Sequence, residues 1–478
     1  MWFYQTVIYT LLLVWALSLS AFAKSGSDEF VVESSPVIAF TGARLIDGTG
    51  AAPIDGQTVL ISAGRIQSIG SDGSIHIPSH AKKISLEGKS LLPGWVMHHA
   101  HMYYPSVHKS AMILTQQPFS FPRLYLSAGI TSARTAGSIE PYTDIKIKES
   151  ITSGNLIGPD FDLTAPYLES KPAAAFQLYS LKDADEAREM VRYWAHRGFT
   201  SFKAYTHITR AQLAAAIDEA HKHELKMTAH LCSVTYREAV DLGIDQLEHG
   251  FAFASDFYPG KNQDECPSGI ELKKIMAELA PEDKRVQSLF HHLINNKVVI
   301  SSTLDVMARG TNIVSELPDE VADLLKAESR TSYEEKRTRM LSRKSAAFER
   351  KYVKSLMALE FSFWRAGGTL VVGTDPTYIG GTLPGHGSLS AIELLAKAGI
   401  PPLEVIKIAT ENGAKAMGVH NDRGTIEIGK RADLLVINGD PSSNIKDIYN
   451  LEMVFKKGVG YSPFALRKSA LGSIGGPG

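Results

Sequence analysis

Residues 91–102 read LLPGWVMHHAHM, and this stretch decides how the rest of the chain is parsed. The pair Pro93-Gly94 punctuates it, and an apolar run of strand length follows. Side chains along a strand alternate with a period of two, so Trp95, Met97, His99 and His101 share one side. A buried strand should be apolar there, yet two imidazoles end it. His-x-His by itself is weak, because 16 histidines in 478 residues give roughly half an occurrence by chance. His221 and His223 repeat it near the charged end of a helix pattern, where positions i and i+2 do not face each other.

Seven further segments share the texture of this strand: GITSART (129–135), DFDLTAP (160–166), FTSFKAYT (199–206), LKMTAH (225–230), DQLEHGF (245–251), KVVISSTL (297–304) and TLVVGTD (369–375). Helix patterns separate them, which argues for parallel βα units. The clearest helix start is the capping box Thr209 to Gln212, after which Leu213, Ile217 and Ala220 fall on one face. Eight such units close most naturally into a TIM-type (β/α)8 barrel over residues 94–417. On either side, residues 37–93 and 418–467 read as short strands between turns, and these two ends are expected to pair into a small β-sandwich flanking the α/β barrel. Two connections are long, roughly 252–295 and 305–367. The second holds a charge-laced helical stretch, 324–366, read as a solvated face over an apolar stripe.

The composition is 44% hydrophobic and 21% charged, which excludes a disordered chain and a multi-span membrane protein. Fifty basic residues against 51 acidic ones leave no electrostatic footprint for nucleic acid or an anionic membrane. A small-molecule substrate is the expected partner, and a homo-oligomer is compatible with the composition. Residues 7–23, VIYTLLLVWALSLSAFA, are uncharged and end in the A-x-A signature Ala21-Phe22-Ala23. Residues 1–23 are therefore read as a signal peptide, with an uncleaved anchor as the alternative, and the protein as exported to a periplasm or the extracellular space.

Two cysteines are too few for a thiolate zinc site, so histidine and carboxylate must hold any metal. His99 and His101 gain weight from their company: Lys203, His230, His249 and Asp375 each fall at the end of another strand, at the rim where barrel enzymes carry their chemistry. Four histidines and an aspartate suit zinc or a similar first-row divalent ion. A lysine ammonium beside metals is electrostatically wrong. A neutral amine that has reacted with CO₂ is instead a carbamate, an anionic ligand able to bridge two metals.

Taken together these motifs resemble the amidohydrolase superfamily of metal-dependent hydrolases. LLPGWVMHHAHM resembles its strand-one P-G-x-x-x-x-H-x-H, FTSFKAY its carbamylated-lysine strand, TAH and LEHG its strand-five and strand-six histidines, VGTDP its strand-eight aspartate, and GTIEIGKRADLLVI its C-terminal return to the sandwich. The resemblance implies two divalent metal ions: one on His99, His101 and Asp375, a second on His230 and His249, with carbamylated Lys203 between them. It also implies that Asp375 shuttles protons. Met97 departs from the pattern, since many members carry an aspartate two positions before the first histidine; the ligands are untouched, but the support behind them differs.

Such a site would attack a carbonyl with a metal-activated hydroxide, and the expected reaction is hydrolysis of a C–N amide bond in a dipeptide or N-acyl amino acid. The lysine-bridged members similar to this chain include Xaa-Pro-type dipeptidases. A mononuclear-metal deaminase is the main alternative, although its glutamate three residues after the strand-five histidine is here Ser233. A lactone or phosphoester hydrolase, and a metal-dependent binding protein without turnover, also remain. For substrate contacts the sequence offers Arg134, as a fork for a carboxylate, and Tyr205, His207 and His386; an ion pair, packing or a solvated loop are the plainer readings. Tyr103 and Tyr104 are open in the same way. Cys232 and Cys266 are expected to form a disulfide, closing a loop of roughly 35 residues.

Overall fold

The structure, a computed structural model, describes residues 28–476 apart from 109, 110 and 378; the expected signal peptide lies outside the described residues. Six strands precede the signature segment: β1 (Val31–Glu33), β2 (Val37–Leu45), β3 (Ile54–Ser62), β4 (Arg65–Ser71), β5 (Lys82–Ser85) and β6 (Lys89–Pro93). The signature forms β7 (Trp95–Ala100), every residue of it buried. A hairpin, β8 (Tyr103–His108) and β9 (Ala111–Gln116), rises from its end. Then come β10 (Ile130–Thr135), β11 (Asp160–Asp162), β12 (Ser201–Ala204), β13 (Lys226–Ala229), β14 (Gln246–Glu248), β15 (Val299–Ser302) and β16 (Leu370–Val372), followed by β17 (Leu434–Asn438), β18 (Leu451–Lys456) and β19 (Val459–Tyr461).

The strands from the two ends do combine, but as one hydrogen-bonded sheet rather than two stacked ones. Its order is β1-β19-β18-β17-β6-β2-β3-β4, with β5 beside β2. The antiparallel ladder of β6 on β17 is the reason, because it joins the two halves edge to edge. The sheet then curls around its own apolar core. Phe40 on β2 and Phe455 on β18 are three strand steps apart, about 14 Å in a flat sheet, yet their ring centroids are 5.0 Å apart.

All eight segments of the expected barrel are parallel strands. Their regular ladders form two arcs, β11-β10-β7 and β12-β13-β14-β15-β16, not one eight-stranded ring. Single bridges, Thr164 to Ser201 and Leu168 to Ala204, span one gap. Across the other, the backbone N–H groups of Thr374 and Asp375 donate to the carbonyl of His99 at 3.1 and 2.9 Å. Gly373 makes that second approach feasible, since a Cβ there would stand 2.2 Å from the Cβ of His99.

The helix Arg210–Lys222 starts as its sequence signals. Thr209 accepts from the Gln212 N–H, and Leu213, Ile217 and Ala220 are buried. The stretch 324–366 breaks into Ala327–Ser342, which buries Tyr333 and Arg337, and Ala346–Arg365, which buries a fuller apolar row including Val353, Leu356 and Phe363. No helix among the described residues is long and apolar enough to cross a membrane.

Candidate metal centre

The strand ends bring His99, His101, Lys203, His230, His249 and Asp375 to one cavity of about 580 Å³. One ligand atom from each of His99, His249 and Asp375 lies within 4.8 Å of the others. This tightest trio crosses the division that the resemblance implies, which would put His249 with the other metal. Asp375 Oδ1 lies 3.2 Å from His101 Nε2 and 3.7 Å from His99 Nε2, and its Oδ2 lies 3.6 Å from His249 Nδ1. The His230 ring is 4.3 Å from that of His249, centroid to centroid.

Lys203 is fully buried on β12, with Nζ 3.3 Å from His99 Nε2 and the rings of Tyr167 and Tyr205 about 5.5 Å away. No carboxylate lies within 4.0 Å of its amine among the described residues, and burial lowers its pKa against the opposing pull of Glu248 and Asp375. Burial thus shifts this lysine toward its neutral amine, the form that reacts with CO₂.

Sequence reading missed the group that aims His99. Glu248, fully buried on β14, accepts from His99 Nδ1 at 2.6 Å, and Thr228 and the Gln246 amide hold the other carboxylate oxygen. With the proton on Nδ1, Nε2 presents its lone pair to the cavity, as a metal-binding imidazole oriented by a carboxylate does. Burial raises the Glu248 pKa, but its contacts with His99, Lys203 and Thr228 outweigh this and hold it below the usual carboxylate range. The signal was present in Leu-Glu-His-Gly: β14 ends at Glu248, and His249 leaves the strand with φ +66°. Thr303, also missed, sits 2.8 Å from His249 Nδ1.

The protonation states suit a cation. Burial brings His101 down to about 4 and His230 to about 3, so both are neutral near pH 7. At Asp375 burial raises the pKa, but His99, His101 and His249 together hold it well below the usual carboxylate range. His101 Nδ1 and His249 Nε2 are buried without a hydrogen-bond partner among the described residues. Buried polar atoms are almost always satisfied, and a divalent ion would satisfy such nitrogens. His249 and Asp375 also hold left-handed backbone angles, φ +66° and +51°, uncommon for residues with a Cβ and concentrated at functional sites.

A model of the amidohydrolase family matches residues 123–460. The chain belongs to that family. It is thus a metal-dependent amidohydrolase with a TIM-like α/β fold. Among solved structures, a Xaa-Pro dipeptidase with bound methionine is 17% identical, covering 89% of this chain and 100% of its own, with a TM-score of 0.65. Molinate hydrolase is 17% identical over 93% and 99%, also at 0.65. The bottromycin amidohydrolase is 17% identical over 92% and 91%, at 0.67. At such identities the likeness is one of fold. A 41-residue stretch is 49% identical to 5-methylthioadenosine/S-adenosylhomocysteine deaminase of Thermoanaerobacter pseudethanolicus, and spans 9% of this chain and 10% of that protein.

The remaining expected residues divide. Tyr205 and His207 line the cavity. The Tyr205 ring lies 4.9 Å from that of His230, and Thr206 Oγ1 is 3.0 Å from His207 Nδ1. Tyr103 also lines it, its ring stacked 4.5 Å from His101 and its hydroxyl 2.5 Å from that of Tyr167, a further residue that sequence reading missed. Arg134 is no carboxylate clamp here. It is buried, donates from Nε to Asp162 at 2.8 Å, and is outside the cavity lining, because register puts Asp162 beside it on β11. His386 is not at the cavity mouth either: it begins the helix His386–Lys397, its ring 5.7 Å from Tyr449, in a separate cavity. Tyr104 turns away and donates to the Gly380 carbonyl. Ser233 is buried and donates to the Ile208 carbonyl. Cys232 and Cys266 form a disulfide, Cα atoms 5.0 Å apart, at the cavity wall.

Proposed function

We propose that this protein hydrolyses a C–N amide bond in a small molecule, with His99, His101, Lys203, His230, His249 and Asp375 holding two divalent ions, zinc by donor chemistry, and Lys203 carbamylated between them. The two strand arcs are read as one (β/α)8 barrel, 94–417, flanked by the terminal sheet. Residues 1–23 are read as an export signal, which puts the work in a periplasm or outside a cell; nucleic acid has no role in this reading and self-association is left to measurement. The observation that carries the proposal is Lys203, a buried amine 3.3 Å from His99 Nε2 in a cluster of imidazoles, with no carboxylate within 4.0 Å among the described residues.

When bound, the ions would lower the pKa of a water and polarise a carbonyl. The chain supplies the rest. Glu248 keeps the Nδ1 proton of His99 in place, so that Nε2 stays a lone-pair donor. Thr303 fixes the ring of His249. Asp375, ionised and within reach of three imidazoles, accepts the proton of the attacking water and returns it to the leaving amine. Lys203 as a carbamate adds the negative charge that two divalent ions require.

Metal content of the full chain folded in an exporting host, with release of amine from an amide and dipeptide panel, tests this reading. About two equivalents of metal per chain, as a bridged site requires, with amine released, are expected. A firm single equivalent, unchanged by zinc and bicarbonate, would overturn the bridged site and favour the deaminase alternative.

A further inference from the structure

We infer that the substrate is an uncharged, apolar amide, bound without a salt bridge to a free carboxylate. This rests on the C–N reading above, and narrows the dipeptide and N-acyl amino acid class to neutral members of it. The warrant is the pairing of the cations among the described residues that line the cavity. Among the described lining residues the lysines are Lys203 and Lys273. Lys203 belongs to the metal cluster. Lys273 is spent on Glu349, to whose carboxylate it donates, and its Nζ lies 4.8 Å from the Tyr352 ring centroid. The arginine that sequence reading offered for this task is bound to Asp162 elsewhere. His207 stands beside a carboxylate of its own: buried Glu169 accepts from its backbone N–H at 2.8 Å, and its Nδ1 is 3.6 Å from Glu169 Oε2. A substrate carboxylate brought here would meet no unpaired side-chain cation among the described residues outside the metal cluster, and burying an unpaired charge is costly.

What the cavity offers instead is apolar wall. Met112 and Leu114 reach it from the β8–β9 hairpin, Leu178 from the segment after β11, and Leu272, Met307 and Met340 from the long connections. Three thioethers make that wall adaptable to shape. Met112, a lining residue, is itself 39% exposed, so the apolar wall reaches solvent. An apolar wall open to solvent suits an apolar ligand.

The test uses the full mature chain loaded with zinc and bicarbonate, and two probes differing by one charge: N-phenylacetyl-phenylalanine and its C-terminal carboxamide. Binding is read before turnover by rapid-mixing fluorescence, and amine release afterwards. The carboxamide is expected to bind about 10-fold tighter or more, one tenfold step being 1.4 kcal/mol. Equal or tighter binding of the acid, or binding of neither, overturns the inference. A carboxamide that binds about 10-fold tighter than the acid but releases no amine upholds the preference for an uncharged ligand and overturns the C–N reading, so the two failures are distinguishable. Met112→Arg puts a cation on the half-exposed wall, where folding tolerates it. It should raise affinity for the acid about 10-fold, and an unchanged acid affinity would remove the hairpin from the substrate wall.

Discussion

Two charge clusters, one buried and one partly buried, occupy opposite ends of the same parallel strands, and they are built on opposite principles. At the strand starts, Asp160 opens β11 and receives Lys456 at 2.8 Å, Arg431 at 2.6 Å and Arg423 at 3.1 Å; Arg431 also pairs with Asp433. Each charge there meets its opposite, and the cluster ties the C-terminal segment and β18 to the barrel strands. At the strand ends, among the described residues, the lysine has no carboxylate within 4.0 Å and two imidazole nitrogens have no hydrogen-bond partner, while His249 and Asp375 hold left-handed backbone angles. The first cluster is electrostatically complete in the protein alone, and the second is completed by a cation from outside. Neither density of buried charge nor an orphaned atom alone distinguishes structure from function, since Arg423 Nε and Arg431 Nε are unpartnered too among the described residues. The difference is that every charge in the first cluster has an opposite charge within 4.0 Å, and Lys203 has none.

Substituting one carboxylate at each end breaks the comparison most sharply. Asp375→Asn should lower kcat/KM by about 10³-fold or more and deplete bound metal, measured by steady-state kinetics and metal analysis, because it removes a ligand and the proton shuttle together. Asp160→Asn should leave kcat unchanged and cost about 3 kcal/mol in denaturant unfolding, since its buried cations lose their partner. Burial raises the Asp160 pKa, but Lys456 and Arg431 outweigh it and hold the carboxyl far below its ordinary value. A carboxyl lowered in this way stabilises the fold above its unfolded pKa and loses that contribution in acid. The stability gap between wild type and variant should be full above about pH 4 and shrink as pH falls below it.

How far each cluster can be read from sequence follows from the same difference. The eight strands and the six residues that meet at the cavity were legible because strand period, turn residues and motif spacing are local properties. His99, His230 and Asp375 each sit at a strand end that short windows reveal. Arg134 was misjudged because its partner, Asp162, is 28 positions away and becomes a neighbour through β10–β11 register alone. His386 was misjudged because the glycine-rich segment before it reads as loop, while the chain there turns directly into a helix. Glu248 was passed over as the residue beside a ligand, though its side chain reaches His99 across the barrel interior. The terminal sandwich was half legible: alternation gave the strands, but the β6–β17 ladder that makes them one sheet is a long-range pairing.

Glu248 sharpens the comparison, since it is a satisfied carboxylate inside the unsatisfied cluster. Glu248→Gln keeps the shape, and the neutral amide is a weaker anchor for the His99 Nδ1 proton. Metal affinity should fall about 10- to 100-fold, as for other carboxylates that orient a ligating histidine. Competition with a zinc chelator reads this directly, and an unchanged affinity would show that packing alone orients His99.

The smallest expected effect comes from a carboxylate that fits neither cluster. Glu360, on the helix Ala346–Arg365, is buried with Oε2 unpartnered among the described residues, and a Cβ on Gly250 would come 2.1 Å from its Oε1. Burial pushes its pKa up to about 8. The folded protein therefore keeps this proton over a range where the unfolded chain has released it. Its stabilising contribution is complete below about pH 4.5 and is lost as pH rises through about 8. Glu360→Gln mimics the protonated form at every pH. Relative to the variant, the wild type should lose about 1 kcal/mol between roughly pH 6 and 8, part of the full linkage slope, because local opening admits water to the charge. Chemical denaturation of both proteins at several pH values measures the gap. A gap that stays constant across that range would mean that Glu360 is ionised in the fold and has a counter-charge the geometry does not show.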